Sequence, residues 1–210
     1  MQEAGLSRRK FLQGTAGASL TLMLPGLARA ANIHELSGTV YINKQPATPG
    51  SVVKAGDLVS TAHDGLITFS FNGDAFMLKA HTSVRVGDVA NPVINSLRLL
   101  TGRMLSVFEK GRERSIITRN AVIATRGTAC FLNAEPFKTY FCTCYGSTVL
   151  RTADMSKEFI TTRHDAHELN YDETSRQFTG MRSMQVLDHD DDELRKLEGY
   201  VGRTPLFDQP

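Results

Sequence analysis

The sequence predicts an all-β fold, a roll or solenoid-like stack of short strands finished by a short C-terminal capping helix, and three observations carry that prediction. Short apolar runs between Leu36 and Arg151 are separated at close intervals by turn-forming residues. Several runs alternate apolar and polar residues, as in Ile67, Phe69 and Phe71 against Thr68 and Ser70, which marks a sheet with one buried face. Helical patterning is confined to the end of the chain, beyond Leu187.

Taken in order, the strand candidates begin with Gly38-Thr-Val-Tyr-Ile-Asn, followed by a loop from Pro46 to Gly50, then Val52-Val53 and Gly56-Asp57-Leu-Val-Ser-Thr. Leu66-Ile-Thr-Phe-Ser-Phe and Ala75-Phe-Met-Leu flank a turn at Asn72-Gly73, and Ser83-Val-Arg-Val follows. Leu97 to Leu100 and Met104 to Phe108 read as two strands separated at Gly102; the charged stretch from Glu109 to Arg114 reads as a solvated turn. Ile116 to Thr118, Ala121 to Ala124 and Thr128 to Asn133 continue the pattern, and the Pro136-Phe137-Lys138 break turns the last of these into a hairpin with Thr139 to Tyr145. Ser147 to Arg151, then weaker runs at Phe159 to Thr162 and His164 to Asp172, complete the strands. Asp190 with Glu193 three residues on is a capping-box-like helix start, and Leu194 and Leu197 give that helix one apolar side. The run Asp190-Asp191-Asp192 complements the helix dipole in its first turn and needs no metal to explain it.

Short pieces recur in a characteristic order: Gly38-Thr-Val, Gly50, Gly56-Asp57-Leu-Val-Ser-Thr61, Leu78, Ser83-Val-Arg-Val, the Leu97 to Gly102 segment and Ala124-Thr-Arg-Gly127-Thr128-Ala-Cys-Phe131. This ordered set, spread from Leu36 to Leu150, resembles the FecR-like domain family, named for the periplasmic sensor of ferric citrate uptake. The resemblance implies an all-β domain, in agreement with the strand pattern. Sensors of that family pass a signal to a cytoplasmic sigma factor through an N-terminal helix bundle and one membrane span. Neither is recognisable in this sequence, so the resemblance implies the periplasmic binding part as a free domain and a protein partner for it.

Export is the expectation for the N-terminus. Ser7-Arg8-Arg9-Lys10-Phe11-Leu12 places paired arginines ahead of an uncharged run to Ala28, the pattern read by the twin-arginine exporter. Ala28-Arg29-Ala30 offers the small-residue signal for cleavage between Ala30 and Ala31. The run is diluted by Gln13, Gly14, Thr15, Gly17 and Ser19, which argues for a cleaved signal rather than a retained anchor. The organisation expected is therefore a signal peptide at 1–30, a β domain at 31–183 and a C-terminal helix and tail at 184–210. The first 30 residues carry +3 of the chain's +2, so the mature part has net charge −1, which gives no electrostatic case for nucleic acid. A soluble periplasmic protein, with no stable membrane insertion after cleavage and a periplasmic or envelope protein as partner, is the expected outcome.

Three cysteines, Cys130, Cys142 and Cys144, enter that oxidising compartment, and an odd number requires an explanation. In a strand Cys142 and Cys144 lie on one face with α-carbons about 6.5–7 Å apart, long for a direct disulfide. One reading is a disulfide from Cys130 to Cys142 or Cys144 across the hairpin, leaving a free thiol. Another takes all three sulfurs and a histidine, His164 or His167, as a Cys3His set for one zinc, iron or copper ion, with His189 in reserve. A third leaves them as plain buried or surface cysteines. His34, His63 and His81 lie near turns and read as ordinary solvated side chains.

Catalysis has no local signature. There is no phosphate-cradling Gly-Lys-Ser/Thr loop, no dinucleotide fingerprint, no His-Glu-x-x-His and no Gly-x-Ser-x-Gly, and no motif announces a histidine base for a cysteine nucleophile. The sequence thus supports a non-catalytic binding or sensing domain, with signalling as its expected role and a metal-binding or redox protein as the alternative.

Overall fold

Ser96–Val107 and Lys138–Arg151 each form one continuous strand, of 12 and 14 residues, and these two strands hold the architecture together. The computed structural model describes residues 32–87 and 96–210. The export signal (Ser7, Arg8, Arg9, Phe11, Leu12) and the cleavage pair Ala30 and Ala31 lie outside the described residues. None of the described helices is long and apolar enough to cross a membrane.

The strands are β1 (Asn32–Ser37), β2 (Val40–Ile42), β3 (Gln45–Pro46), β4 (Leu58–Thr61), β5 (Leu66–Phe71), β6 (Asp74–Leu78), β7 (Ser83–Val86) and β8 (Ser96–Val107). They continue with β9 (Glu113–Ile117), β10 (Val122–Arg126), β11 (Ala129–Ala134), β12 (Lys138–Arg151), β13 (Ser156–Thr161), β14 (Asp165–Tyr171) and β15 (Phe178–Met184). One helix, α1 (Asp191–Tyr200), follows, with a short 3-10 turn at Leu206–Asp208. The all-β class with a C-terminal helix is as the sequence predicts.

A first sheet runs β1-β5-β6-β8-β11-β12-β14-β15, antiparallel throughout. A second contains β3-β2-β4-β7-β8-β9-β10-β12-β13, with one parallel pair, β8 with β9. The long strands belong to both: Leu97 to Thr101 pair in the second sheet and Gly102 to Val107 in the first, while β12 switches near Gly146. Each corner is a glycine with positive φ, Gly102 at +89° and Gly146 at +87°. At Gly102 a Cβ would sit 2.4 Å from the His81 carbonyl oxygen and 2.5 Å from the Thr82 Cα, so only glycine lets the backbones approach. The sequence signals at these glycines are thus bends within strands rather than breaks between them.

Between the sheets lies the main core, including Ile67, Phe69, Phe76, Leu97, Leu99, Ile116, Leu132, Phe141 and Leu150. A second apolar layer forms on the outer face of the first sheet, where Met77, Leu105, Phe131, Tyr140, Cys142 and Cys144 are covered by Leu194 and Leu197 of α1. Val201, Leu206 and Phe207 extend that cover. The centre of the first sheet is therefore buried on both faces; Thr68, expected on an open face, has no exposed surface. The helix begins as its sequence indicates, with Asp190 accepting a bond from the Glu193 backbone N–H at 2.9 Å.

Two sequence expectations are corrected. Arg114 is not in a solvated turn: it starts the buried part of β9 and pairs with Asp74 at 2.6 Å, each side chain only 3% exposed. Strand β15, Phe-Thr-Gly-Met-Arg-Ser-Met, is absent from the sequence reading because as an edge strand with mixed exposure it has neither alternation nor an apolar run.

Candidate metal centre

Strand parity builds the first half of the site. In β12, Cys142 and Cys144 project from the same side, and pairing puts Phe131 of β11 and Ala166 of β14 beside Cys142. That side is the outer face of the first sheet, under the C-terminal segment. His164 stands in the tight turn between β13 and β14 with φ at +42°, and its backbone N–H bonds the Cys144 carbonyl at 2.8 Å. Its Nδ1 lies 3.6 Å from Cys142 Sγ, and its Nε2 lies 2.9 Å from the Asp191 carboxylate.

The fourth group comes from the segment that covers the sheet. His189 directly precedes the helix-capping Asp190; its ring stacks on Phe131 with centroids 4.5 Å apart and meets the His164 ring edge-on at 5.2 Å. His189 Nδ1 is 2.7 Å from the Leu187 carbonyl oxygen, which only accepts, so Nδ1 carries the proton and Nε2 presents its lone pair. That Nε2 is buried and has no hydrogen-bond partner, in a residue only 8% exposed. The ligand atoms of Cys142, Cys144, His164 and His189 all lie within 4.8 Å of one another.

These spacings match a four-coordinate ion. Zinc–sulfur bonds of about 2.3 Å and zinc–nitrogen bonds of about 2.0–2.1 Å at tetrahedral angles put sulfur and nitrogen about 3.6 Å apart. The Cys142 to His164 separation is 3.6 Å. Asp191 on the far nitrogen of His164 fixes the tautomer that turns Nδ1 toward the sulfurs, the usual carboxylate support of a ligating histidine. Two thiolates and two imidazoles suit zinc, copper(I) or iron, and the set leaves no open coordination position.

Electrostatics in the cluster are asymmetric. A hydrogen bond from the Cys144 thiol holds the Cys142 thiol far below the ordinary thiol range, helped by His164 against its desolvation. Burial drives Cys144 in the opposite direction. Cys142 in turn, and then Asp191, hold His164 above the ordinary imidazole value. The site therefore already favours one thiolate, the form that binds metal.

The sequence-derived set is only partly assembled. Cys142, Cys144 and His164 meet; His189, the reserve, completes them. Cys130 pairs with Thr143, one residue out of phase with Cys142, so its side chain enters the core between the sheets with Leu132 and Phe141. No disulfide forms; all three cysteines are free. His167 pairs with Phe141 and follows it inward, its ring 5.5 Å from that of Phe141 and 4.6 Å from that of Phe159. Its Nε2 is 2.7 Å from Asp165. Asp191 escaped the sequence reading as a supporting residue because its position at the helix start had a sufficient local explanation.

Cys142, His164 and Asp191 also have the order of a thiol nucleophile, a base and its orienting carboxylate. Cys142, however, has no exposed surface, and a nucleophile must be reached by its substrate. The geometry favours ligation.

No protein-family model matches the chain, and no curated protein is similar to it. Two crystal structures of a putative anti-sigma factor from Parabacteroides distasonis ATCC 8503 share its fold, at 13% identity and a TM-score of 0.50. In each the likeness covers 61% of this chain and 60% of the other, so the chain spans less than two thirds of the length of these neighbours.

Proposed function

We propose that this protein is an exported, non-catalytic FecR-like β domain that binds one transition-metal ion at Cys142, Cys144, His164 and His189, and that it serves as a sensing or binding module for a protein partner in the periplasm. The observation that carries the metal reading is the buried, partnerless Nε2 of His189 beside two thiols and the Nδ1 of His164. A buried polar atom left unpaired costs about 1–3 kcal/mol, and coordination would remove that penalty. The ordered glycine-containing motifs and the fold shared with a putative anti-sigma factor support the sensing role; the paired arginines Arg8 and Arg9 support the twin-arginine route, and Ala28-Arg29-Ala30 supports cleavage before Ala31. Zinc is the first ion to test because the ligand set is closed and tetrahedral in kind.

Metal content is to be measured by mass spectrometry on protein exported on its own signal and purified anaerobically. One ion per chain is expected, lost in Cys142→Ser, Cys144→Ser and His189→Ala and retained in Cys130→Ala. A metal-free protein that also fails to take up zinc in titration, or loss of the ion in Cys130→Ala alone, refutes the assignment.

A further inference from the structure

The four ligands are divided unequally between two parts of the chain, and the division has a mechanical meaning. Cys142, Cys144 and His164 belong to the sheet and its turn, with His164 tied by its backbone to Cys144. His189 belongs to the C-terminal segment, and so does Asp191, which orients His164 from the first turn of α1. The segment thus supplies one ligand and the support of another. Without it docked, three ligands remain and one of them loses the hydrogen bond that aims it.

Resting on the metal reading above, we infer that ion binding and docking of residues 185–210 on the first sheet are one coupled equilibrium, the ion acting as a latch that closes the C-terminal segment over the apolar sheet face. Linkage makes the coupling reciprocal: if the ion favours the docked segment by some factor, the docked segment favours the ion by the same factor. The other fastenings are mixed, and the buried bond from Tyr145 to Glu198 is the strongest polar one. Leu194 and Leu197 bury fully, Lys79 pairs with Glu193 at a part-buried position, and Lys196 to Glu35 is a more exposed ion pair of small worth. Opening uncovers Met77, Leu105, Val107, Phe131 and Tyr140, a continuous apolar face. Metal occupancy then decides whether that face is available, which gives a sensing domain a readout.

Hydrogen–deuterium exchange of the full mature chain with and without zinc tests the latch, after calorimetry has established whether zinc binds. Zinc is expected to slow exchange across 187–201 by tenfold or more, with little change in 66–78. The effect is expected to vanish in His189→Ala even at zinc concentrations that still occupy the remaining ligands. A Leu194→Ala, Leu197→Ala variant, with every ligand intact, is expected to bind zinc at least tenfold more weakly, while Ile116→Ala in the core between the sheets leaves zinc affinity unchanged. Stoichiometric zinc binding without protection of 187–201 overturns the latch and leaves the site standing. Failure of zinc to bind at all overturns both.

Discussion

Replacing Asp191 by alanine isolates the support of His164 from the ligands themselves. Asp191 touches no sulfur; its Oδ1 receives the His164 Nε2–H at 2.9 Å, and its other oxygen pairs with Arg163. Against a desolvation that would raise it, the bonds from His164 and Arg163 hold the Asp191 carboxyl below the usual range, so the supporting group is a carboxylate at neutral pH. The helix keeps its cap, because Asp190 and not Asp191 accepts the Glu193 N–H. Arg163 is 59% exposed, so its pair contributes at most about 1 kcal/mol to folding. Loss of the carboxylate behind a ligating histidine lowers metal affinity by about 10–100-fold, or roughly 1.4–2.8 kcal/mol. Competition against a chromogenic zinc chelator reads this directly, with Asp192→Ala as the control, since Asp192 is 89% exposed and pairs with Arg195 on the surface. Equal affinity, within about twofold, for Asp191→Ala and the unaltered protein would refute the assignment of His164 as an oriented ligand.

Other predictions follow from the packing. Gly102→Ala is expected to lower stability by about 2–5 kcal/mol in urea unfolding, from left-handed strain added to a backbone clash, whereas Gly111→Ala, whose Cβ meets nothing within 4 Å, loses only about 1–2 kcal/mol. Asp74→Ala strands the buried Arg114 guanidinium and should cost about 3–5 kcal/mol; a urea midpoint near that of the unaltered protein would show that water reaches the pair. Tyr145→Phe removes the hydroxyl that donates to the buried Glu198 carboxylate and is expected to cost about 1.5–3 kcal/mol by the same measure. After air exposure, protein unfolded with chelator present is expected to titrate 3 thiols per chain; a loss of 2 would mean that two cysteines had joined despite their separation in the sheet.

Much of the fold is legible because its signals are local. Ile67, Phe69 and Phe71 announce a strand by period, the Pro136 to Lys138 break announces the hairpin of β11 and β12, and Asp190 with Glu193 announces the helix start. Gly102 and Gly146 are ambiguous in sequence, since the same residue ends a strand or bends one; only the switch of partners from one sheet to the other distinguishes the two. The site was legible to the level of residue type and failed at parity. Cys130 and His167 are near enough in sequence to join Cys142, but a single residue of register sends each to the other side of the sheet. His189 carries no signal of its own, because its place depends on how the whole C-terminal segment lies.

Parity also answers why an odd set of cysteines can persist as thiols in an oxidising compartment, should the chain be exported as proposed. Cys142 and Cys144 are two residues apart in an extended strand, which separates their α-carbons by about 6.5–7 Å and aims both side chains in parallel, at the outer limit of disulfide geometry. Cys130 is adjacent in the hairpin yet separated from them by the sheet itself. All three are 0% exposed, so an external thiol cannot reach them without opening the C-terminal segment or the core. The arrangement that disfavours a disulfide is the one that presents two sulfurs side by side to a single ion. A strand that places cysteines at i and i+2, a turn that delivers a histidine to them and a C-terminal segment that brings a second histidine down just ahead of its helix meet the same two demands, exclusion of oxidation and assembly of a ligand set.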